Sequence, residues 1–288
     1  MPILWGVTLL WAFSFSLIGV YLAGQVDSYF AVLTRVLLAT LLFVPWLIRH
    51  HTPRPLALRL MAIGALQLGC MYLFYYQSFL LLSVPEVLIF TIFTPLYITL
   101  LYDLLERRFH VRFLLSSLLA VAGAALIRWN DLSEQFWQGF LVVQGANLCF
   151  ASGQVFYKRL IGQQAAGTRQ HQHFGWFYLG ALCVVIPAWL LLGGERYPQQ
   201  LQQWLILLWL GLVASGAGYF LWNLGATRVS SGQLAVMNDA LIPAGLLVNL
   251  LIWNHDTDLT RLAAGSAIIL SALWLNRRWQ PAHPDTAE

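Results

Sequence analysis

Charge is what this sequence has least of. Only 10% of its 288 residues are Asp, Glu, Lys or Arg, where a water-soluble domain carries about a quarter. With 59% hydrophobic residues the chain has too little polar surface to coat a soluble globule and too much apolar surface to stay disordered. The bulk belongs in lipid. Lys158 is the single lysine, and no Walker A run precedes it, which excludes nucleotide hydrolysis by the chain itself. Cysteine is scarce: Cys70, Cys149 and Cys183 sit in apolar segments, none at CxxC spacing, and read as inert core thiols. All seven histidines fall in loops or the tail, with His173 at the very edge of an apolar stretch, and neither HExxH nor GxSxG occurs, so no metal, cofactor or catalytic residue is expected and an enzyme is disfavoured. The formal net charge of +4 is spread over loops, with no basic stripe for nucleic acid.

What is abundant is apolar sequence in membrane-length pieces. A helix needs about 20 mainly apolar residues to cross about 30 Å of hydrocarbon. Ten stretches qualify, at 3–23, 29–48, 60–82, 85–104, 112–128, 137–158, 173–193, 203–226, 233–253 and 262–276. The expected fold is all-α, a polytopic membrane protein of ten helices. The first stretch lacks the basic leader of a signal peptide and is expected to remain as a structural helix.

Ten crossings return both ends to one side. The even-numbered connections and the tail hold twelve Lys and Arg, from Arg49, Arg54 and Arg59 through to Arg277 and Arg278, whereas the odd-numbered ones hold three, Arg128, Arg196 and Arg261. The positive-inside rule then makes both termini cytoplasmic. Trp46, Trp129, Trp137, Trp204, Trp253 and Trp279 fall near stretch ends, as interfacial anchors do.

The chain also repeats itself. Residues 64–128 align without a gap on 212–276 at an offset of 148, pairing Ser83 with Ser231, Pro95 with Pro243 and Phe74 with Trp222. This divides the chain into 1–128, 129–276 and a tail at 277–288. Five helices per unit is odd, so the second unit enters from the opposite face, the inverted repeat of many secondary transporters. Small residues at every fourth position, Ser116, Ala120 and Ala124, then Ala263, Ala267 and Ser271, allow close helix approach, either within the bundle or against a second copy in a homodimer.

Polar groups inside the stretches are few. Arg35 is the only basic one well inside, at a cost of roughly 2.5–3.5 kcal/mol on the insertion scale. It is either a bidentate grip on a substrate carboxylate or a structural arginine satisfied by Asp239 or by carbonyls. At 1.5 Å per residue Arg35 and Asp239 each lie roughly 9 Å deep from opposite sides, leaving roughly 12 Å between them, so a direct ion pair is not the default. Asp239 suits a proton-coupling group, because a carboxylate drawn out of water tends to keep its proton; a neutral, hydrogen-bonded Asp holding the helix fits equally. Glu86 is explained by a capping box, Ser83-Val84-Pro85-Glu86. Gln67, Asn147, Asn223 and Asn238 should point inward, either to hydrogen-bond other helices or to face a ligand. Trp11 and Phe15 share one helical face, as do Tyr72, Tyr75 and Tyr76, and Tyr219, Trp222 and Asn223. Sparse polar groups on aromatic walls are what a small-molecule cavity needs. The candidate substrate-binding set is therefore Trp11, Phe15, Arg35, Gln67, Tyr72, Asn147, Tyr219, Asn223 and Asn238, with Asp239 for proton coupling.

These residues carry a resemblance. The inverted fives, WAFSFS at 11–16, the arginine of the second stretch, FTP at 93–95 and GYFLWN at 218–223 resemble the drug/metabolite transporter superfamily, in its two-repeat, EamA-type carboxylate/amino acid/amine branch. AGQVDSYFAVLTR at 23–35, FTPLYITLLYD at 93–103, WFYLGA at 176–181 and PAGLLVNLLIW at 243–253 are similar to biotin-importing members of that branch. The resemblance implies an inner-membrane secondary transporter whose small-molecule substrate is biotin or another small carboxylate. It departs from the superfamily where a Gly-Glu pair is frequent: Leu105-Glu106 stands there in the first copy and Trp253-Asn254 in the second, so a role for that glutamate does not carry to the second half. The branch also contains exporters of amino acids and related metabolites, which is the alternative function. An intramembrane lipid transferase and a channel are further classes, set apart by lipid turnover and by saturable counterflow respectively.

Overall fold

The computed structural model describes residues 2–105, 107, 134–165, 168–229 and 231–253, with isolated positions from 260 to 274. Among these every regular element is helical. The stretch at 112–128 with its Ser116, Ala120 and Ala124 seam, and the tail at 277–288, lie outside the described residues.

Eight long helices follow in order among the described residues. Helix α1 is Pro2–Tyr21 and α2 is Ser28–Arg49; α3 joins Arg54–Gly64, a π segment at Ala65–Cys70 and Met71–Ser78; α4 runs from Val84 through a 3-10 turn at Thr91–Phe93 to Leu105. Helix α5 is Glu134–Gly162, α6 is Gly175–Leu192 after a single turn at Gln170–His173, α7 joins Leu201–Trp209, a π segment at Leu210–Ala217 and Gly218–Ala226, and α8 is Ser231–Val248 ending in a π turn, Asn249–Trp253. Spans α1 to α7 are long and apolar enough to cross a membrane. Large apolar side chains such as Leu41, Leu141, Leu190 and Leu205 face outward, as a lipid-exposed surface requires.

Local chemistry sets the ends. Asp27 caps α2, its carboxylate accepting from the Phe30 N–H at 2.8 Å. The Glu86 carboxylate accepts from the Ser83 N–H at 2.8 Å and its hydroxyl at 2.7 Å, the reach-back half of a capping box at the start of α4. Helix α3 starts at Arg54, six residues before the apolar run does, because Pro55 suits a first turn and Arg54 and Arg59 can extend their charges out of the lipid.

The packing is two-fold. In chain order α1 to α4 correspond to α5 to α8, and the main contacts come in matched pairs. Helix α1 packs on α8 as α5 packs on α4; α2 packs on α7 as α6 packs on α3; α3 packs on α5 as α7 packs on α1; and α2 meets its own counterpart α6. The halves thus interlock. Without a hydrophobic force between helices in lipid, such contacts depend on close van der Waals approach. A Cβ at Gly64 would strike the Phe177 carbonyl and one at Gly180 the Met61 carbonyl, so only glycine lets α3 and α6 come together backbone to backbone.

Loop contacts sort into two ends of the bundle. At one end Asp27 holds the Gly194 N–H at 3.0 Å, Arg196 donates to the Gly24 carbonyl at 2.8 Å, Gln203 donates to Gln25 at 3.1 Å and Trp253 to Tyr21 at 3.2 Å. At the other, Thr52 pairs with His173 at 2.8 Å, Lys158 donates to the Val229 carbonyl at 2.8 Å and Gln170 to Thr227 at 3.1 Å. Helices α4 and α5 run parallel: Gly139 lies beside Leu81 and Leu82 at the α4 entry, while Arg159 lies over the Tyr102 ring near its exit. Leu105 and Glu134 therefore stand at opposite ends.

Candidate substrate cavity

Arg35 sits about a third of the way along α2, 2% exposed, and is held from two other helices. Its Nε donates to Ser215 Oγ at 3.0 Å, Nη1 to the Tyr76 hydroxyl at 3.0 Å and Nη2 to the Tyr72 hydroxyl at 2.7 Å. Tyr72 and Ser215 share a hydrogen bond of 2.8 Å. The guanidinium carbon also lies 4.3 Å from the Tyr72 ring centroid and 5.6 Å from that of Tyr76, within cation–π range. Each of these partners is neutral, so among the described residues the positive charge is cradled and not cancelled. Three of five N–H groups are used, leaving one on each terminal nitrogen.

The π segments set this geometry. A π turn leaves the regular hydrogen-bond ladder and frees carbonyls that need donors from elsewhere. In α7 the Ala214 carbonyl accepts from Trp11 Nε1 at 2.9 Å, and the Ser215 and Gly216 carbonyls share the Tyr178 hydroxyl at 2.9 and 2.6 Å. Helices α1 and α6 thereby pin Ser215 against Arg35. The offset of 148 lays the α3 π segment over that of α7 and sets Gln67 opposite Ser215. Gln67 is fully buried against Gly153, and neither its amide nitrogen nor its oxygen has a hydrogen-bond partner.

Beside Arg35 lies a cavity of about 80 Å³. Of the residues singled out in the sequence, Trp11, Phe15, Arg35, Tyr72, Asn147, Tyr219 and Asn238 line it. Gln67 and Asn223 do not: Asn223 donates to the Tyr219 carbonyl at 3.0 Å, and its own oxygen is unpartnered. The side chain of Asp239 lies outside the described residues; among the described residues Tyr72, Tyr76 and Ser215 hold Arg35. Sequence reasoning did not select Ser215 or Tyr76 as partners; the repeat could have found Ser215, which matches Gln67, and i, i+4 spacing from Tyr72 could have found Tyr76. Thr91, Thr94 and Phe150 also face the cavity without having been singled out, since threonine and phenylalanine are unremarkable in membrane helices.

The walls divide by chemistry. Trp11 lies 5.0 Å from both Tyr219 and Trp222 and 5.9 Å from Phe150 between ring centroids, and Phe15 lies 5.3 Å from Tyr75. Amides gather on α5 and α8. Asn147 donates to the Phe90 carbonyl at 2.7 Å and to Gln144 at 3.1 Å, and Asn238 pairs reciprocally with Gln154 at 3.3 Å. No Asp or Glu occurs among the described lining residues. The site therefore offers a cation, aromatic faces and neutral amides.

A polytopic helical bundle with duplicated packing and a buried, charged central cavity defines a class, the membrane carriers built from repeats. The EamA-like transporter family model matches residues 2–129 and again 137–277, and the chain belongs to that family. It is 54% identical over 275 residues, 94% of this chain and 95% of the relative, to a protein of Pseudomonas aeruginosa named "Probable biotin transporter". It is 50% identical to the "Biotin transporter" of Salmonella typhimurium and 49% identical to that of Escherichia coli K12, in each case over 100% of this chain and 97% of the relative. One solved crystal structure matches 98% of both chains with a TM-score of 0.68 at 17% identity, a likeness of fold alone. The chain is a multi-pass membrane transporter and not an enzyme.

Proposed function

We propose that the chain is a bacterial inner-membrane carrier that imports biotin by alternating access. The observation that carries this reading is Arg35, a buried cation on the wall of the central cavity that among the described residues is held by neutral groups. A carboxylate entering there gains a charge-assisted partner, and the relatives at about 50% identity are named for biotin, a carboxylate that also carries a flat ureido ring. In this assignment Arg35 takes the carboxylate, Trp11, Phe15, Tyr72 and Tyr219 pack the ring, and Asn147 and Asn238 take the ureido group. Gln67 and Asn223 support the cavity from outside its wall, and Asp239 is kept as the proton-coupling residue. An amino-acid exporter needs an acid for the substrate ammonium, and the described wall offers none.

The twelve-to-three distribution of Lys and Arg supports a cytoplasmic position for both termini. Ten crossings in two inverted repeats, 1–128 and 129–276, are supported by the parallel run of α4 and α5, which sets Leu105 and Glu134 at opposite ends. Alternating access is supported by size: a cavity of about 80 Å³ holds a few waters, whereas pockets for drug-sized ligands span about 300–1,000 Å³, so loading requires the halves to move.

Labelled biotin uptake by cells unable to synthesise biotin, with and without the chain, tests the cargo; uptake independent of the chain removes the assignment. Arg35→Ala tests the grip, and unchanged affinity in that variant removes it.

A further inference from the structure

A second cavity, of about 380 Å³, opens between α3 and α5 at the end of the bundle where Arg49, Arg54 and Arg59 gather. Two guanidinium groups line it, Arg59 and Arg159. Arg59 stands five residues past the first residue of α3 and Arg159 three before the last of α5, which at 1.5 Å per residue places both roughly 5–8 Å inside their helix ends, at headgroup depth. The remaining wall is largely apolar. Ile63, Leu66 and Phe156 line it further in, with Leu66 about 10 Å beyond Arg59 along the helix. Among the described residues neither guanidinium is bonded to an acid, and Arg159 meets only the Tyr102 ring, at 5.5 Å.

We propose that this groove is a binding site for an anionic phospholipid, with Arg59 and Arg159 on the phosphate and an acyl chain along Ile63, Leu66 and Phe156. Charge complementarity selects the occupant. Two cations with no acid partner among the described residues attract an anion at this mouth, and an arginine fork matches phosphate oxygens in paired hydrogen bonds. The apolar floor selects a lipid over a free phosphate, because a hydrated ion gains nothing from the walls below the arginines. Basic recesses between helices at this level are suited to acidic headgroups. The site is remote from Arg35 along the bundle and does not depend on the cargo of the central cavity.

The test is native mass spectrometry of the full chain released from detergent micelles, with phosphatidylglycerol or phosphatidylcholine of matched acyl chains. The expected result is a phosphatidylglycerol adduct that survives activation under which the phosphatidylcholine adduct is stripped, and that is lost in Arg59→Gln/Arg159→Gln. Arg49→Gln/Arg54→Gln removes the same charge at the same end and keeps the adduct. Excess inorganic phosphate leaves it bound. Equal retention of both lipids, survival of the adduct in the first double variant, equal loss in the second, or displacement by phosphate would each overturn the proposal. If the first double variant does not purify, Arg159→Lys, which retains charge without the fork, must show a weakened adduct; an unweakened one would count against the site.

Discussion

The Tyr219 hydroxyl lies 4.0 Å from the sulfur of Met71, and the two residues are 148 positions apart, the offset of the internal repeat. Equivalent residues of the two halves thus touch each other, and both line the central cavity. Self-contact of this kind happens only on the pseudo-two-fold axis, so the cavity straddles the axis. Arg35 breaks the symmetry: its counterpart by the same offset is Cys183, which is exposed, and the charge is a property of one half alone.

Tyr72→Phe removes the acceptor of Nη2 and the partner of Ser215 in one step. Losing a hydrogen bond to a charged, buried group costs about 1.5–3 kcal/mol. The expected outcome is a lower Tm in detergent together with a raised KM for uptake, because Arg35 is no longer fixed in place. A variant that melts lower but transports with unchanged KM would make the hydroxyl purely structural.

Gln67→Leu should stabilise the described state. The buried amide makes no hydrogen bond, and leaving such a group unpaired costs about 1–3 kcal/mol, which an apolar replacement of similar volume avoids. A raised Tm in a detergent melt is the expected reading; a lowered one would mean that the amide finds partners elsewhere in the working cycle or in solution.

Gly180→Val forces a side chain onto the Met61 carbonyl, where backbone and not a flexible side chain must give way. Overpacking of this kind costs about 1–3 kcal/mol or more. Reduced yield of folded protein by size-exclusion chromatography is expected, whereas Gly6→Val, where nothing lies within 4 Å, should be tolerated.

Asp27→Ala removes both the cap of α2 and the tie to Gly194. A lost cap costs about 1 kcal/mol, and the second bond adds to it. Both a modest fall in Tm and faster proteolysis of the loop after Tyr21 are expected; Asp27→Asn, which can still accept, should recover most of the Tm.

Asp239→Asn tests coupling. Asp239 follows Asn238, whose side chain faces the cavity, and an intramembrane acid that gains and loses a proton would tie uptake to the pH gradient. Uptake in the variant is expected to become insensitive to a collapsed gradient, and an unchanged response would remove the role.

Much of the fold was legible because a membrane leaves few choices. Apolar runs of the right length must become helices, and Glu86 was readable as a capping residue from spacing alone. Arg35 was recognisable as inward-facing because hydrocarbon does not tolerate it. Its partners were not readable. They come from α3 and α7, remote in sequence, and are set by π segments that local composition does not announce. A π turn adds one residue, which rotates the following helix face by about 100°. Gln67 lies inside such a segment and faces away from the cavity, whereas Tyr72 and Tyr219, each two residues beyond a segment, face it.

The sequence by itself determined that the chain is a duplicated membrane bundle with one buried cation, because helix length, repeat offset and the cost of charge in lipid are local or periodic quantities. Which groups hold that cation, and which amides share its cavity, was decided only by tertiary packing. Helical phase after a π insertion and the interlocking of the two halves depend on contacts among residues far apart in the chain.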